Sequence, residues 1–122
     1  MTQFPKPVVL IVEDEPLIRM LAVDAFQEAG FLVLEADCAA EALLVSGGEP
    51  CIRLLFTDVN MPGEMNGIDL AEHLKRLIPK LHLMITSALP VSRPVGHLSA
   101  LFVAKPYRIK DVCRTAQDLM AA

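Results

Sequence analysis

The residues able to do chemistry stand in four short groups: Glu13-Asp14-Glu15, Asp58, Thr86-Ser87 and Lys105-Pro106. Each closes or follows an apolar run of strand length. In an open α/β sheet, ligands bind outside the carboxyl ends of the strands, and that rule would bring carboxylates, hydroxyls and one ammonium to a single edge. Clustered carboxylates repel each other unless a cation sits among them. A hard divalent ion such as Mg²⁺ (or Mn²⁺) answers this, because it takes oxygen ligands and commonly uses one or two carboxylates with a phosphate oxygen. Asp14 and Asp58 are the natural direct ligands, Glu13 reaches through water, and the Asn60 backbone carbonyl is available in the following turn. A phosphoryl group on Asp58 would need both the ion and Lys105 to balance its charge, and the Ser87 hydroxyl could donate a hydrogen bond to it. Taken singly, the acids could favour a helix N-terminus, Asp58 could form a turn, and Lys105 could be a solvated strand end. Complementary groups at four strand ends are harder to explain that way.

The elements that must position these groups alternate along the chain. Val8 to Val12 is a continuous aliphatic run, as expected of a strand covered on both faces. Ile18, Leu21, Ala22, Ala25, Phe26 and Ala29 then follow helical spacing, with Arg19, Asp24, Gln27 and Glu28 on the other side. Pro16 suits the first turn of that helix and Gly30 its end. Phe31 to Glu35, Ile52 to Thr57, Leu81 to Thr86 and Leu101 to Ala104 read as further strands. Ala39 to Val45 reads as a short helix, Leu70 to Ile78 as a third, and Ile109 to Met120 as the last. Parallel strands need crossovers, so this alternation predicts a doubly wound five-stranded α/β domain with helices on both faces. Pro90, Pro94 and Gly96 make any helix between the last two strands short or irregular.

The run Val-Val-Leu-Ile-Val-Glu-Asp-Glu, the turn Thr-Asp-Val-Asn-Met-Pro-Gly and the closing Val-Ala-Lys-Pro-Tyr resemble the receiver domain of two-component response regulators over nearly the whole chain. The Met-Pro-Gly-Glu-Met-Asn-Gly turn and the Lys-Pro-Tyr ending are most similar to stand-alone alphaproteobacterial members. The resemblance implies a flavodoxin-like sheet of order 2-1-3-4-5. It implies that Asp58 accepts a phosphoryl group from a sensor histidine kinase or histidine phosphotransfer protein. It further implies that Glu13, Asp14, Asp58 and the Asn60 carbonyl hold Mg²⁺, that Lys105 pairs the phosphoryl charge, and that the bond before Pro106 is cis. Ser87, followed by the small Ala88, matches the switch hydroxyl better than Thr86, and Phe102 matches the switch aromatic, although an ordinary core ring would look the same.

This chain departs from the family pattern in two places. The segment from Ser87 to Lys105 is shorter than usual, so the dimer face built around it is not assumed, and a monomer or weak dimer is expected. The acid pair begins with Glu13 rather than aspartate, which lengthens one arm of the metal site. Leu89, two residues after Ser87, cannot orient the water that would hydrolyse the phosphoaspartate, so slow self-dephosphorylation is expected. His73, His82 and His97 form no metal-binding pair with one another or with Cys38, Cys51 or Cys113. Cys113, Met20, Met61, Met84 and Met120 read as packing residues.

At 122 residues the chain fits one domain, 1–122 with a core over about 7–121. Its 53% apolar content excludes disorder. A net charge of -4 without a basic run argues against nucleic-acid and anionic-membrane surfaces. No stretch reads as a membrane span or secretory signal, so a cytoplasmic protein is expected, and Met1 with the Ala121-Ala122 ending favours a stand-alone chain. The leading expectation is a phosphorylation-switched module acting on an unknown downstream protein, or a phosphate shuttle or sink, that catalyses only its own phosphorylation and dephosphorylation. The alternatives are a pseudo-receiver that binds partners without phosphorylation and an aspartyl-phosphate phosphatase. That enzyme reading wants an Asp-x-Asp arrangement where this chain has Glu13-Asp14-Glu15, and a nucleotide or flavin domain wants a glycine-rich turn that is absent.

Overall fold

A computed structural model of the chain describes residues 6–47, 51–88 and 98–121. Strands β1 (Val8–Val12), β2 (Leu32–Ala36), β3 (Ile52–Asp58), β4 (His82–Ser87) and β5 (Leu101–Ala104) alternate with helices α1 (Pro16–Glu28), α2 (Ala39–Ser46), α3 (Gly67–Leu77) and α4 (Ile109–Ala121). The strands form one parallel sheet in the order β2-β1-β3-β4-β5. The expected doubly wound sheet and its strand order are therefore present. The expected irregular segment before β5, with Leu89, Pro90, Pro94, Gly96 and His97, lies outside the described residues. Among the described residues, no helix is long and apolar enough to cross a membrane.

Side-chain alternation divides the interior into two cores. Val8, Leu10 and Val12 of β1 face α2 and α3, meeting Ala39, Ala42, Ile68, Ala71 and Leu74. Val9 and Ile11 point the other way, toward Ala22 and Phe26 of α1 and Val112, Cys113 and Ala116 of α4. Phe26 anchors that second face, with Phe31 edge-on at 5.3 Å and Phe56 tilted at 5.5 Å. Strand β1 is buried throughout, as a continuous aliphatic run dictates, and β3 and β4 are buried except at Arg53, His82 and Ser87.

Coverage of the sheet is less complete than the sequence suggests. The edge strands β2 and β5 leave Leu32, Leu101 and Phe102 exposed, because each has a neighbouring strand on one side only. Helix α1 departs further. Ile18 and Leu21 have the spacing of core residues, yet they are 41% and 56% exposed, and Met20 is exposed rather than packed. The stripe faces the expected way, but Lys105, Pro106, Tyr107 and Ile109 stand off from it. A groove of about 460 Å³ separates the two walls.

One glycine is required where α3 begins. A β-carbon on Gly67 would lie 1.9 Å from the Asp58 carbonyl oxygen, and the Gly67 amide donates to the Val59 carbonyl at 2.8 Å. The start of α3 thus presses directly on the backbone of the aspartate that ends β3.

Candidate functional site

Three strand ends build the site. The Glu13 amide continues the sheet by donating to the Ala36 carbonyl at 3.1 Å, so the first acid leaves β1 with its backbone still held by β2. Its Oε2 accepts from the Glu15 amide at 3.2 Å, which turns the carboxylate back over the loop. Asp58 closes β3 opposite Thr86, and the Val59 amide donates to the Thr86 carbonyl at 2.9 Å. The Thr57 hydroxyl donates to the Asp58 carbonyl at 3.0 Å, and the Asn60 amide donates to Asp58 Oδ1 at 3.2 Å.

Lys105 arrives from the end of β5, where its amide donates to the Ser87 carbonyl at 3.1 Å and its peptide bond to Pro106 is cis. Its ammonium donates to Asp58 Oδ2 at 2.5 Å and lies 4.0 Å from Glu13 Oε1. Carboxylate oxygens of Glu13, Asp14 and Asp58 come within 4.8 Å of one another, with Glu13 and Asp58 buried and Asp14 exposed. That is a set of hard oxygen donors open to water on one side, and it fits a magnesium-sized ion that keeps part of its hydration.

The charges show what the cluster lacks. Burial raises the Glu13 pKa, and its proximity to Asp14 and Asp58 adds to the rise against the opposing pull of the Glu15 amide and Lys105. For Lys105, burial favours the neutral amine, but the hydrogen bond and charge of Asp58, with the charges of Glu13 and Asp14, outweigh it and the pKa rises. The ammonium is the one cation paired with the side-chain carboxylates of these acids among the described residues, and one positive charge faces three carboxylates.

Ser87 is the half-buried last residue of β4, paired with Ala104, whereas Thr86 is fully buried. Phe102 lies in β5 opposite Ile85 and is 37% exposed, belonging to neither core, so its reading as an ordinary core aromatic is corrected. Asn60 is exposed beside Asp58. Two neighbours of the site escaped sequence reasoning. Tyr107 packs edge-on against Phe56 at 5.8 Å, and burial, then the charges of Glu13 and Asp58, push its pKa up to about 12. Arg19, placed by periodicity on the solvent side of α1, instead donates to the Glu13 carbonyl at 2.8 Å. A cation near a helix N-terminus was the available signal.

A parallel sheet of this order, with an acidic pocket and a lysine at its carboxyl edge, defines a class of phosphoryl-accepting signalling domain. The model of the response regulator receiver domain matches residues 9–116, and the chain belongs to that family. Among its relatives, the response regulator receiver protein CpdR of Brucella abortus is 32% identical over 93% of this chain and 97% of its own length. The sensor kinase CckA of the same organism is also 32% identical over 92% of this chain, which spans only 12% of that kinase. The crystal structure of the receiver domain from the hybrid histidine kinase CckA superposes with a TM-score of 0.79 at 28% identity, covering 93% of this chain and 98% of that one. The protein is thus a two-component receiver, and receiver domains bind Mg²⁺ at an acidic pocket of this kind.

Proposed function

We propose that Asp58 is the phosphoacceptor and that the donor is the phosphohistidine of a sensor histidine kinase or histidine phosphotransfer protein. The observation that carries this reading is the convergence of Glu13, Asp14 and Asp58 within 4.8 Å, with the Lys105 ammonium on Asp58. In the transfer, a carboxylate oxygen of Asp58 attacks phosphorus, the phosphorus–nitrogen bond breaks, and its electron pair returns to the imidazole. Glu13, Asp14, Asp58 and the Asn60 carbonyl would hold Mg²⁺, which would supply positive charge to the phosphoryl oxygens when bound. Lys105 supplies the second cation. The Ser87 hydroxyl donates to a phosphoryl oxygen once the group is in place, and Phe102 follows by changing its packing, which alters the surface along β5. Regulation of a downstream partner, or service as a phosphate shuttle, follows from that switch. The chain is read as one cytoplasmic domain, 1–122, with no enzymatic activity beyond its own phosphorylation and dephosphorylation.

The exposed side of α1 suits a protein donor. Leu17, Ile18, Met20 and Leu21 are exposed beside the acid loop, and the groove that Ile18 and Leu21 border reaches Lys105. A helical donor covering those residues would exclude water from the transfer.

Incubation with Mg²⁺ and acetyl phosphate tests the assignment. Intact mass should rise by one phosphoryl group, and the gain should vanish in EDTA and in Asp58→Asn. A full gain in Asp58→Asn overturns the assignment of the acceptor. Absence of any gain in the unaltered protein makes the chain a pseudo-receiver, and steady turnover of a free phosphate ester makes it an enzyme.

A further inference from the structure

Arg19 sits on the second turn of α1, where a cation opposes the positive end of the helix dipole and so weakens rather than supports the helix. Its guanidinium is nonetheless held in place. Nη1 donates to the Glu13 carbonyl at 2.8 Å, and Nε donates to Glu35 Oε1 on β2 at 3.1 Å. The side chain is only 21% exposed. Since the Glu13 amide donates to Ala36 of the same strand, both main-chain polar groups of Glu13 are fixed, one by β2 and one by Arg19. The two contacts use different nitrogens of a planar fork, which an ammonium cannot reproduce.

We infer that Arg19 is a positioning residue for the metal-binding loop: with Glu35 it locks the backbone from which Glu13 and Asp14 project, without touching the ion. The inference rests on the proposed Mg²⁺ site and deepens it. Charge alone predicts the opposite sign. A guanidinium held against the metal-binding loop repels a dication, so its removal should tighten Mg²⁺ binding if electrostatics governs and loosen it if the loop geometry governs. Glu35 already neutralises the guanidinium, which leaves positioning as the dominant effect.

Calorimetric Mg²⁺ titration of the whole protein, with Arg19→Met and Arg19→Lys, decides between them. Arg19→Met keeps an apolar stem and should weaken Mg²⁺ binding by about tenfold or more, the usual loss when a partner of a metal ligand is removed. Arg19→Lys can satisfy one contact and should fall between. Amide exchange in EDTA provides a readout free of metal: the Glu13 amide should exchange faster in Arg19→Met while the interior of β3 keeps its protection. Unchanged or tighter Mg²⁺ binding in Arg19→Met overturns the inference. So does a lower melting temperature in EDTA with no change in affinity, since that marks a purely structural contact. If the unaltered protein binds no Mg²⁺, the reading of the site fails and takes the inference with it. If it binds and both variants match it, only the inference fails.

Discussion

Helix α3 opens with Asn66 Oδ1 accepting from the amides of Ile68 and Asp69 at 2.9 Å each, while Asp69 Oδ2 accepts from the Asn66 amide at 3.0 Å. Helix α1 opens on Glu15, whose side chain caps nothing, with no acid in its first turn. The contrast continues along both helices. Helix α3 carries Lys75 and Arg76 in its last turn and buries Gly67, Ile68, Leu70, Ala71 and Leu74, whereas the longer α1 buries only Ala22 and Phe26. One helix satisfies the local rules of dipole, cap and amphipathic face together. The other breaks them at the end nearest the acids, which is where function displaces stability as the reason for a residue. The comparison predicts that changes at α3 cost stability, and that changes at the start of α1 cost transfer and binding.

The largest effect is expected at Gly67. Alanine there would drive a β-carbon into the Asp58 carbonyl, a backbone atom that cannot move without breaking the β3–β4 register. We expect Gly67→Ala to cost about 4 kcal/mol or more, the range reserved for backbone conflicts, measured by urea unfolding. A cost near zero would show that α3 can shift away, and that its tight seat on Asp58 is not needed. Next comes Asn66→Ala, which removes the cap of α3 and should cost about 1–2 kcal/mol. The corresponding change at α1, Glu15→Ala, should cost much less, since no cap is lost.

At α1 the expectation reverses. Leu17→Gln with Leu21→Gln should change stability by less than about 0.5 kcal/mol, as surface substitutions do. Phosphorylation by acetyl phosphate should be unaffected, while transfer from a protein donor should slow by about tenfold, through loss of apolar contact. Equal slowing with both donors would place the defect in the site rather than in docking.

The same contrast explains how much was legible in the sequence. Strand runs such as Val8 to Val12 announced themselves because a doubly covered strand has no polar position, and Glu13, Asp14, Asp58 and Lys105 stood out because each ends such a run. Family membership was legible from the same residues. Coverage was not. Ile18 and Leu21 have the spacing of core residues, and nothing in that spacing says that the opposite wall of the groove stands back. Periodicity likewise put Arg19 toward solvent, because it records the direction of a Cβ and not where a long side chain ends. Phe102 carried no sequence signal separating an exposed ring from a buried one, since its strand lies at an edge that only the assembled sheet defines.

The smallest expected effect lies at the far end of α3, where Lys75 Nζ donates to the Leu81 carbonyl at 2.6 Å beside His82, the first residue of β4. Burial, then the positive charges of Arg53 and Lys75, hold the His82 pKa below 6.5. Above that value the ring is neutral in both the folded and unfolded chain, so it contributes no pH dependence. As the pH falls below 6.5 the unfolded chain takes up the proton first, and stability declines until the folded ring protonates as well. The decline should be smaller in Arg53→Gln, which removes one repelling charge, and its His82 component should vanish in His82→Gln. Urea midpoints compared from about pH 7.5 down to about pH 5 provide the measurement. A slope that survives intact in His82→Gln would assign the acid sensitivity to another group, and not to Glu13, whose raised pKa makes the folded chain take up the proton first and so adds stability as the pH falls.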